Sequence, residues 1–306
     1  MHRHGRDNKI RVWQLREEDE ETFSTTLPID DNTMERRQPW LLHSLPVNSL
    51  NFCSFAMCRD LRPSQSQPKA DLLVAVPGIQ DGQVNITAIP GEGRFATLPA
   101  PKDIKTGMVM AIGLHYHQTQ LSVIVGYESG YVCIWKQESL TMVWERRYSH
   151  KAHSQPILSL CIAPQLGYFY TSSADAVIAR HPLLDEIDEP KSVQTKHAGQ
   201  QSLTVRSDDK IFATAGWDGR VRVYSAKTMA ELAVLKWHKD GCYAIAFAAI
   251  KEETSSTNSN AESDATEKSI SLRDLTVSEQ RTAKAKVIHW LAAGSKDGKV
   301  SLWDIY

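Results

Sequence analysis

His197, Thr214 and Asp218 bring together an imidazole, a hydroxyl and a carboxylate, the three groups from which a hydrolytic triad is built. Tyr224 follows them closely. His153, Thr171 and Asp175 repeat the set earlier in the chain, with His181 where Tyr224 would stand. His238, Asp297 and Trp303 repeat it in part near the last residues, where Ala293 replaces the hydroxyl. Triad chemistry needs a single activated nucleophile with a base oriented against it. Several partial copies serve a different end. A polar network that recurs once per structural unit satisfies buried groups and fixes how strands meet. These residues are read as scaffold, with no catalytic role.

Other reactive side chains lead nowhere firmer. His115 and His117, and likewise His2 and His4, stand two apart and would share one side of a strand. Neither pair has a third ligand close in sequence, and both are expected in solvated loop or terminal positions. Cys53 and Cys58 have a spacing that would suit zinc, but no second pair follows. Phosphate-binding GxxxxGK[ST], dinucleotide-binding GxGxxG after a strand, HExxH and GxSxG are all missing. The expectation is no enzyme, no cofactor and no metal. Trp40, Trp135, Trp144, Trp217, Trp237 and Trp290 are expected in the core, in grooves or as interface anchors.

The elements that must position these residues come from a repeated phrase: a small residue, a turn of Asp-Gly type, then alternating β-formers ending in an aromatic. The clearest copies are AGWDGRVRVY (215–224) and AGSKDGKVSLW (293–303). GRDNKIRVW (5–13), GYESGYVCIW (126–135), SSADAVIARH (172–181) and a degenerate QDGQVNI (80–86) complete the set. The turn positions are Asp7, Asp81, Ser129, Asp175, Asp218 and Asp297, spaced by 74, 48, 46, 43 and 79 residues. A period of about 40–45 residues is that of a WD-repeat blade, and each long interval reads as one blade with an insertion. The Asp-Gly turn supplies the positive φ of a tight hairpin, and the flanking runs alternate with period two. In the 197–237 unit, strands are expected at 202–206, 211–215, 221–224 and 232–235. The fold class is therefore all-β, a WD-repeat β-propeller spanning 1–306 as a single domain.

Composition agrees. The 306 residues are 42% hydrophobic and 23% charged, and 35 Lys+Arg balance 36 Asp+Glu to a formal charge of −1. That balance argues against direct nucleic-acid binding, which calls for a basic excess. No apolar run approaches membrane-spanning length, no secretory leader is visible, and the five cysteines form no even framework. They read as reduced thiols of an intracellular protein.

Two segments interrupt the repeat. Residues 16–38, with Glu17-Glu18-Asp19-Glu20-Glu21, read as an acidic loop between strands. Residues 251–286 open with the low-complexity run KEETSSTNSNAESDATEKS and then admit a short helix around 272–286. The first repeat, GRDNKIRVW, reads as a third strand with nothing before it, and GKVSLWDIY ends on a third strand. The expectation is a seven-bladed ring that here lacks about one and a half N-terminal blades.

Beyond the generic repeat, PWLLHSLPVNSLNFCSF (39–55), KTGMVMAI (105–112), HSQPILSL (153–160), HAGQQSLTVRSDDKIFATAGWDGRVRVYS (197–225) and ELAVLKWHKDGCYAIAFA (231–248) resemble the fungal ASTRA-associated WD-repeat protein 1 family. That family is related to the G-protein-β-like subunit 1 proteins of animals. The resemblance runs from Gly5 to Tyr306, apart from the two insertions. It implies a seven-bladed propeller serving as a non-catalytic scaffold of the nuclear ASTRA complex. It also implies protein partners, a Tra1-like giant kinase-related protein and the Tel2–Tti co-chaperone module. Roles in chromatin remodelling and in maturation of phosphatidylinositol-3-kinase-related kinases follow from it as well. The alternative is a WD-repeat adaptor of another complex, a ubiquitin-ligase substrate receptor or a signalling scaffold. The expected location is the nucleus, with the cytoplasm as a second compartment.

Overall fold

The computed structural model describes residues 2–4, 8–16, 18, 39–48, 53–62, 71–91, 93–138, 143–183, 189–249, 276–277, 281 and 288–305. Every element of stated extent among them is a β-strand, and consecutive strands pair antiparallel into six meandering sheets. Sheet 1 holds β1 (His2–His4), β2 (Lys9–Gln14) and β3 (Trp40–Pro46). Sheet 2 holds β4 (Ala56–Arg59), β5 (Leu72–Pro77), β6 (Val84–Ile89) and β7 (Arg94–Leu98). Sheet 3 holds β8 (Val109–His117), β9 (Gln120–Tyr127), β10 (Tyr131–Gln137) and β11 (Trp144–Lys151). Sheet 4 runs β12 (Ile157–Ala163), β13 (Tyr168–Ser173), β14 (Val177–Pro182) and β15 (Lys191–Gln194). Sheet 5 runs β16 (Gln200–Val205), β17 (Ile211–Gly216), β18 (Arg220–Ser225) and β19 (Glu231–Lys236). Sheet 6 runs β20 (Cys242–Phe247), β21 (Trp290–Ser295) and β22 (Val300–Asp304).

The chain divides into two compact units, Met1–Ile157 and Leu158–Tyr306. In the first, β5 explains why LLVAVP is apolar throughout. Its alternate residues point to opposite faces. Leu73 and Ala75 join Val84 and Ile86 against Val109, Val123 and Tyr127 of sheet 3. Val74 and Val76 join Ile89 against Ile10, Val12 and Leu45 of sheet 1. A strand covered on both faces cannot alternate apolar with polar, so it reads as a continuous hydrophobic run. Each fully buried aliphatic side chain is worth about 1.5–3 kcal/mol.

The second unit repeats the device. In β17, Phe212 packs with Tyr170, Leu203 and Tyr224, whereas Ile211, Ala213 and Ala215 pack with Val221, Val223, Cys242 and Leu291. Phe212 stacks between Tyr170, at 4.6 Å, and Tyr224, at 5.0 Å. The four strands expected in the 197–237 unit are all present, extended by one or two residues at most of their ends.

The hairpin turns differ from the expected geometry in one respect. In the Asp-Gly turns only the glycine takes positive φ: Gly219 has φ +73°, while Asp218 does not. The Gly219 N–H bonds Gly216 O at 3.1 Å, so the turn is a four-residue reversal ending on a left-handed glycine. The aspartate is then free to serve the turn with its side chain. Asp218 Oδ1 accepts the Arg220 N–H at 3.2 Å, Asp175 Oδ1 that of Val177 at 3.0 Å, and Asp297 Oδ1 that of Lys299 at 3.1 Å.

The two interruptions fall within hairpins. Segment 16–38 lies between β2 and β3, and segment 251–286 between β20 and β21. Apart from Arg16, Glu18, Thr276, Val277 and Arg281, both lie outside the described residues, as does nearly all of the helix expected around 272–286. Contrary to the expected lack of a strand before GRDNKIRVW, His2–His4 pairs along β2, with His2 opposite Val12 and His4 opposite Ile10.

Candidate functional site

The structure separates the apparent triad in sheet 5. Thr214 is fully buried, but its hydroxyl donates to Gln200 Oε1 at 2.7 Å. Gln200, itself buried, donates from Nε2 to His197 O at 3.0 Å. The His197 side chain is 46% exposed, with Nδ1 3.8 Å from Asp218 Oδ2. The expectation of a buried imidazole there gives way to a glutamine, whose amide can accept from the hydroxyl and donate to a carbonyl at once. With its proton committed to an amide oxygen, Thr214 is no activated nucleophile.

Asp218 has a larger task. Arg222 is almost wholly buried, and its Nη2 and Nη1 reach Asp218 Oδ2 and Oδ1 at 2.6 and 3.2 Å. Burial acts to raise the Asp218 carboxyl, but the Arg222 hydrogen bonds and charge outweigh it and hold the carboxyl below the usual carboxylate range. Glu231 lies 3.7 Å from Arg222 Nε on the other side. The buried Tyr224 phenol is pushed up to about 12, first by burial and then by the Glu231 charge.

The neighbouring sheets solve the same problem with other side chains. In sheet 4, buried Thr171 bonds His181 Nε2 at 3.0 Å, and His181 stacks on Phe169 at 4.8 Å. In sheet 6, Ser301 Oγ accepts the Trp303 indole N–H at 2.9 Å and lies 2.8 Å from His238 Nε2. Ser301 stands two residues before Trp303 on the same face of β22, a spacing that would have found it. Gln200 had no such signal, since a glutamine opening a strand is ordinary. His153 is buried beside sheet 3, and its N–H donates to Gly130 O at 3.3 Å.

His115 and His117 sit within β8, not in a loop, and burial lowers His115 first, with His117 second. Cys53 and Cys58 form no disulfide, and burial pushes their thiols up to about 12 and about 11. Among the described residues no three His, Cys, Asp or Glu side chains gather closely enough to hold a metal.

What sheets 5 and 6 do expose is aromatic surface at one end. Trp217, in the β17–β18 turn, is 45% exposed; Trp237, in the β19–β20 loop, is 54% exposed; Tyr243, on β20, is 43% exposed. Backbone contacts lock these loops together. Trp217 N–H donates to Gly199 O at 2.9 Å, and Lys296 N–H to Gly241 O at 2.9 Å. The Trp217 ring covers Gly199 so closely that it leaves no room for a Cβ there. Its Nε1 donates to Gln201 Oε1 at 2.8 Å. Gly241 is flanked by the Trp217 backbone and the Tyr243 hydroxyl. Trp237 meets His238 edge-on at 4.8 Å. Trp217 is thus held by Gly199 and Gln201 while both indoles stay about half exposed, an arrangement suited to docking a protein chain.

The family described as WD domain, G-beta repeat matches residues 189–225 and 288–304, the stretches that form β15 to β18 and β21 to β22. Among curated relatives, the ASTRA-associated protein 1 of Aspergillus flavus is 43% identical over all of this chain and 81% of its own length. That of Penicillium rubens is 44% identical, again over the whole chain and 82% of its own length. That of Verticillium alfalfae is 45% identical over 99% of this chain and 76% of its own length. The fold is that of WD repeats, built of antiparallel β-propeller blades.

Proposed function

The chain belongs to the ASTRA-associated protein 1 family, and from this we propose that it is a non-catalytic scaffold subunit of the ASTRA complex. The observation that carries the reading is the identity to relatives of that name over essentially the whole chain. Two features support it. The buried hydroxyls of Thr214, Thr171 and Ser301 are occupied with Gln200, His181 and His238. The exposed aromatics of sheets 5 and 6 offer a surface to a protein partner.

Within that reading the chain works in the nucleus. It contacts the Tra1-like kinase-related protein and the Tel2–Tti module, and serves chromatin remodelling and the maturation of phosphatidylinositol-3-kinase-related kinases. The test is affinity purification of the endogenously tagged protein with mass spectrometry of its partners. Recovery of the giant kinase-related subunit together with the Tel2–Tti proteins is the expected result. Recovery of a ubiquitin ligase or a signalling complex in their place would overturn it.

A further inference from the structure

The end of sheets 5 and 6 that carries the aromatics also gathers cations. Lys196, Lys236, Lys239 and Lys296 are exposed in or beside its loops, with Arg220 partly so. The carboxylates on the same turns face their own backbone. Asp175, Asp218 and Asp297 each accept the amide two residues ahead, Asp218 is further held by Arg222, and Asp297 takes the Lys299 ammonium at 3.2 Å. Asp240 is the remaining carboxylate of these loops. Although the whole chain carries a formal charge of −1, this end presents positive charge outward, interleaved with indole faces.

A ligand that matches such a surface must supply negative charge and a large apolar group together. We propose that the end of sheets 5 and 6 bearing Trp217, Trp237 and Tyr243 binds an acidic protein segment that contains an aromatic or leucine side chain. Carboxylates of the segment meet Lys196, Lys239 and Lys296, and its apolar residue rests on the indoles. Trp217 is already immobilised by Gly199 and Gln201, so little rotamer freedom is lost when its outer face is covered. Duplex DNA would meet the charge requirement but would leave the indoles without partners, since its outer surface is phosphate and sugar.

This inference deepens the scaffold reading and rests on it, and the test separates the two. Fluorescence anisotropy with the full chain would use a labelled peptide of Glu and Asp residues around one Phe. Comparison probes are the same peptide with Lys for the acids, the acidic peptide with Ala for Phe, and a short DNA duplex. The acidic Phe peptide should bind at about 50 mM salt and lose about tenfold in affinity by about 300 mM. The Ala peptide should bind several-fold more weakly. Trp237→Ala and, separately, the double change Lys239→Glu with Lys296→Glu should each weaken it by about tenfold. Both act on exposed side chains, and Lys191→Glu, at the opposite end of sheet 4, should change nothing. Equal binding of the lysine peptide, indifference to these variants, or tighter binding of the duplex would overturn the proposal. Peptide binding without ASTRA subunits on purification would remove the complex assignment alone. Recovery of those subunits without peptide binding would remove this site alone.

Discussion

Asp218 and Gln200 divide the work that a single buried histidine was expected to do, and two substitutions resolve the division. Gln200→Ala leaves the buried Thr214 hydroxyl without its acceptor and should lower stability by about 1–3 kcal/mol. His197→Ala, at a half-exposed imidazole, should fall within about 0.5 kcal/mol of the parent in urea unfolding. Asp218→Asn keeps an acceptor for the turn but removes the charge that holds Arg222. Because the folded carboxyl lies below its unfolded value, its contribution is complete above about pH 4 and fades as pH falls further. The parent should therefore lose urea stability between about pH 4 and pH 2 more steeply than Asp218→Asn, a difference read from unfolding midpoints across that range. Identical pH profiles would mean that Arg222 does not depend on the Asp218 charge.

Strand and turn geometry was the most legible part of the sequence, and the reason is covalent. A glycine at the close of a reversal and β-branched residues at every second position are local signals. The sheet 5 strands followed from them almost residue for residue. Partners that reach across strands were not legible. Gln200 and Thr214 are fourteen residues apart and meet because β16 and β17 pair, which no local pattern states. The exposed tryptophans were seen in the sequence, but their exposure depends on which strand faces are covered.

The turn glycines make a paired prediction at this scale. Gly219 and Gly298 have nearly the same φ, +73° and +79°. A Cβ on Gly219 would meet Asp240 O at 2.8 Å and His238 O at 3.0 Å, whereas one on Gly298 meets nothing within 4 Å. Gly298→Ala should cost about 1–2 kcal/mol for the left-handed backbone alone. Gly219→Ala should cost visibly more in the same urea titration, because the 237–241 loop must also shift. Equal losses would mean that the loop yields freely.

At the scale of the molecule, the thiols report on how completely the sheets close over their interiors. None of the five cysteines is in a disulfide, and burial is the leading cause of an upward shift at every one, to about 12 at Cys53 and about 11 at Cys58 and Cys242. A raised thiol stays protonated and unreactive. Near pH 8, Ellman's reagent should therefore label the native chain slowly and the urea-unfolded chain quickly at five sites. Rapid labelling of native protein would show that the sheets open.

The junction between β20 and β21 has a practical consequence. The two strands keep their pairing, from Cys242 opposite Ser295 to Phe247 opposite Leu291, although some forty residues separate them in sequence. Lengthening such a connection costs only about 0.6 kcal/mol per doubling. Its two ends leave sheet 6 at Phe247 and Trp290, away from the loops that carry Trp217 and Trp237. A fluorescent reporter or affinity handle spliced into that connection would join sheet 6 at the strand ends opposite the Trp217 and Trp237 loops, so the protein could be labelled internally.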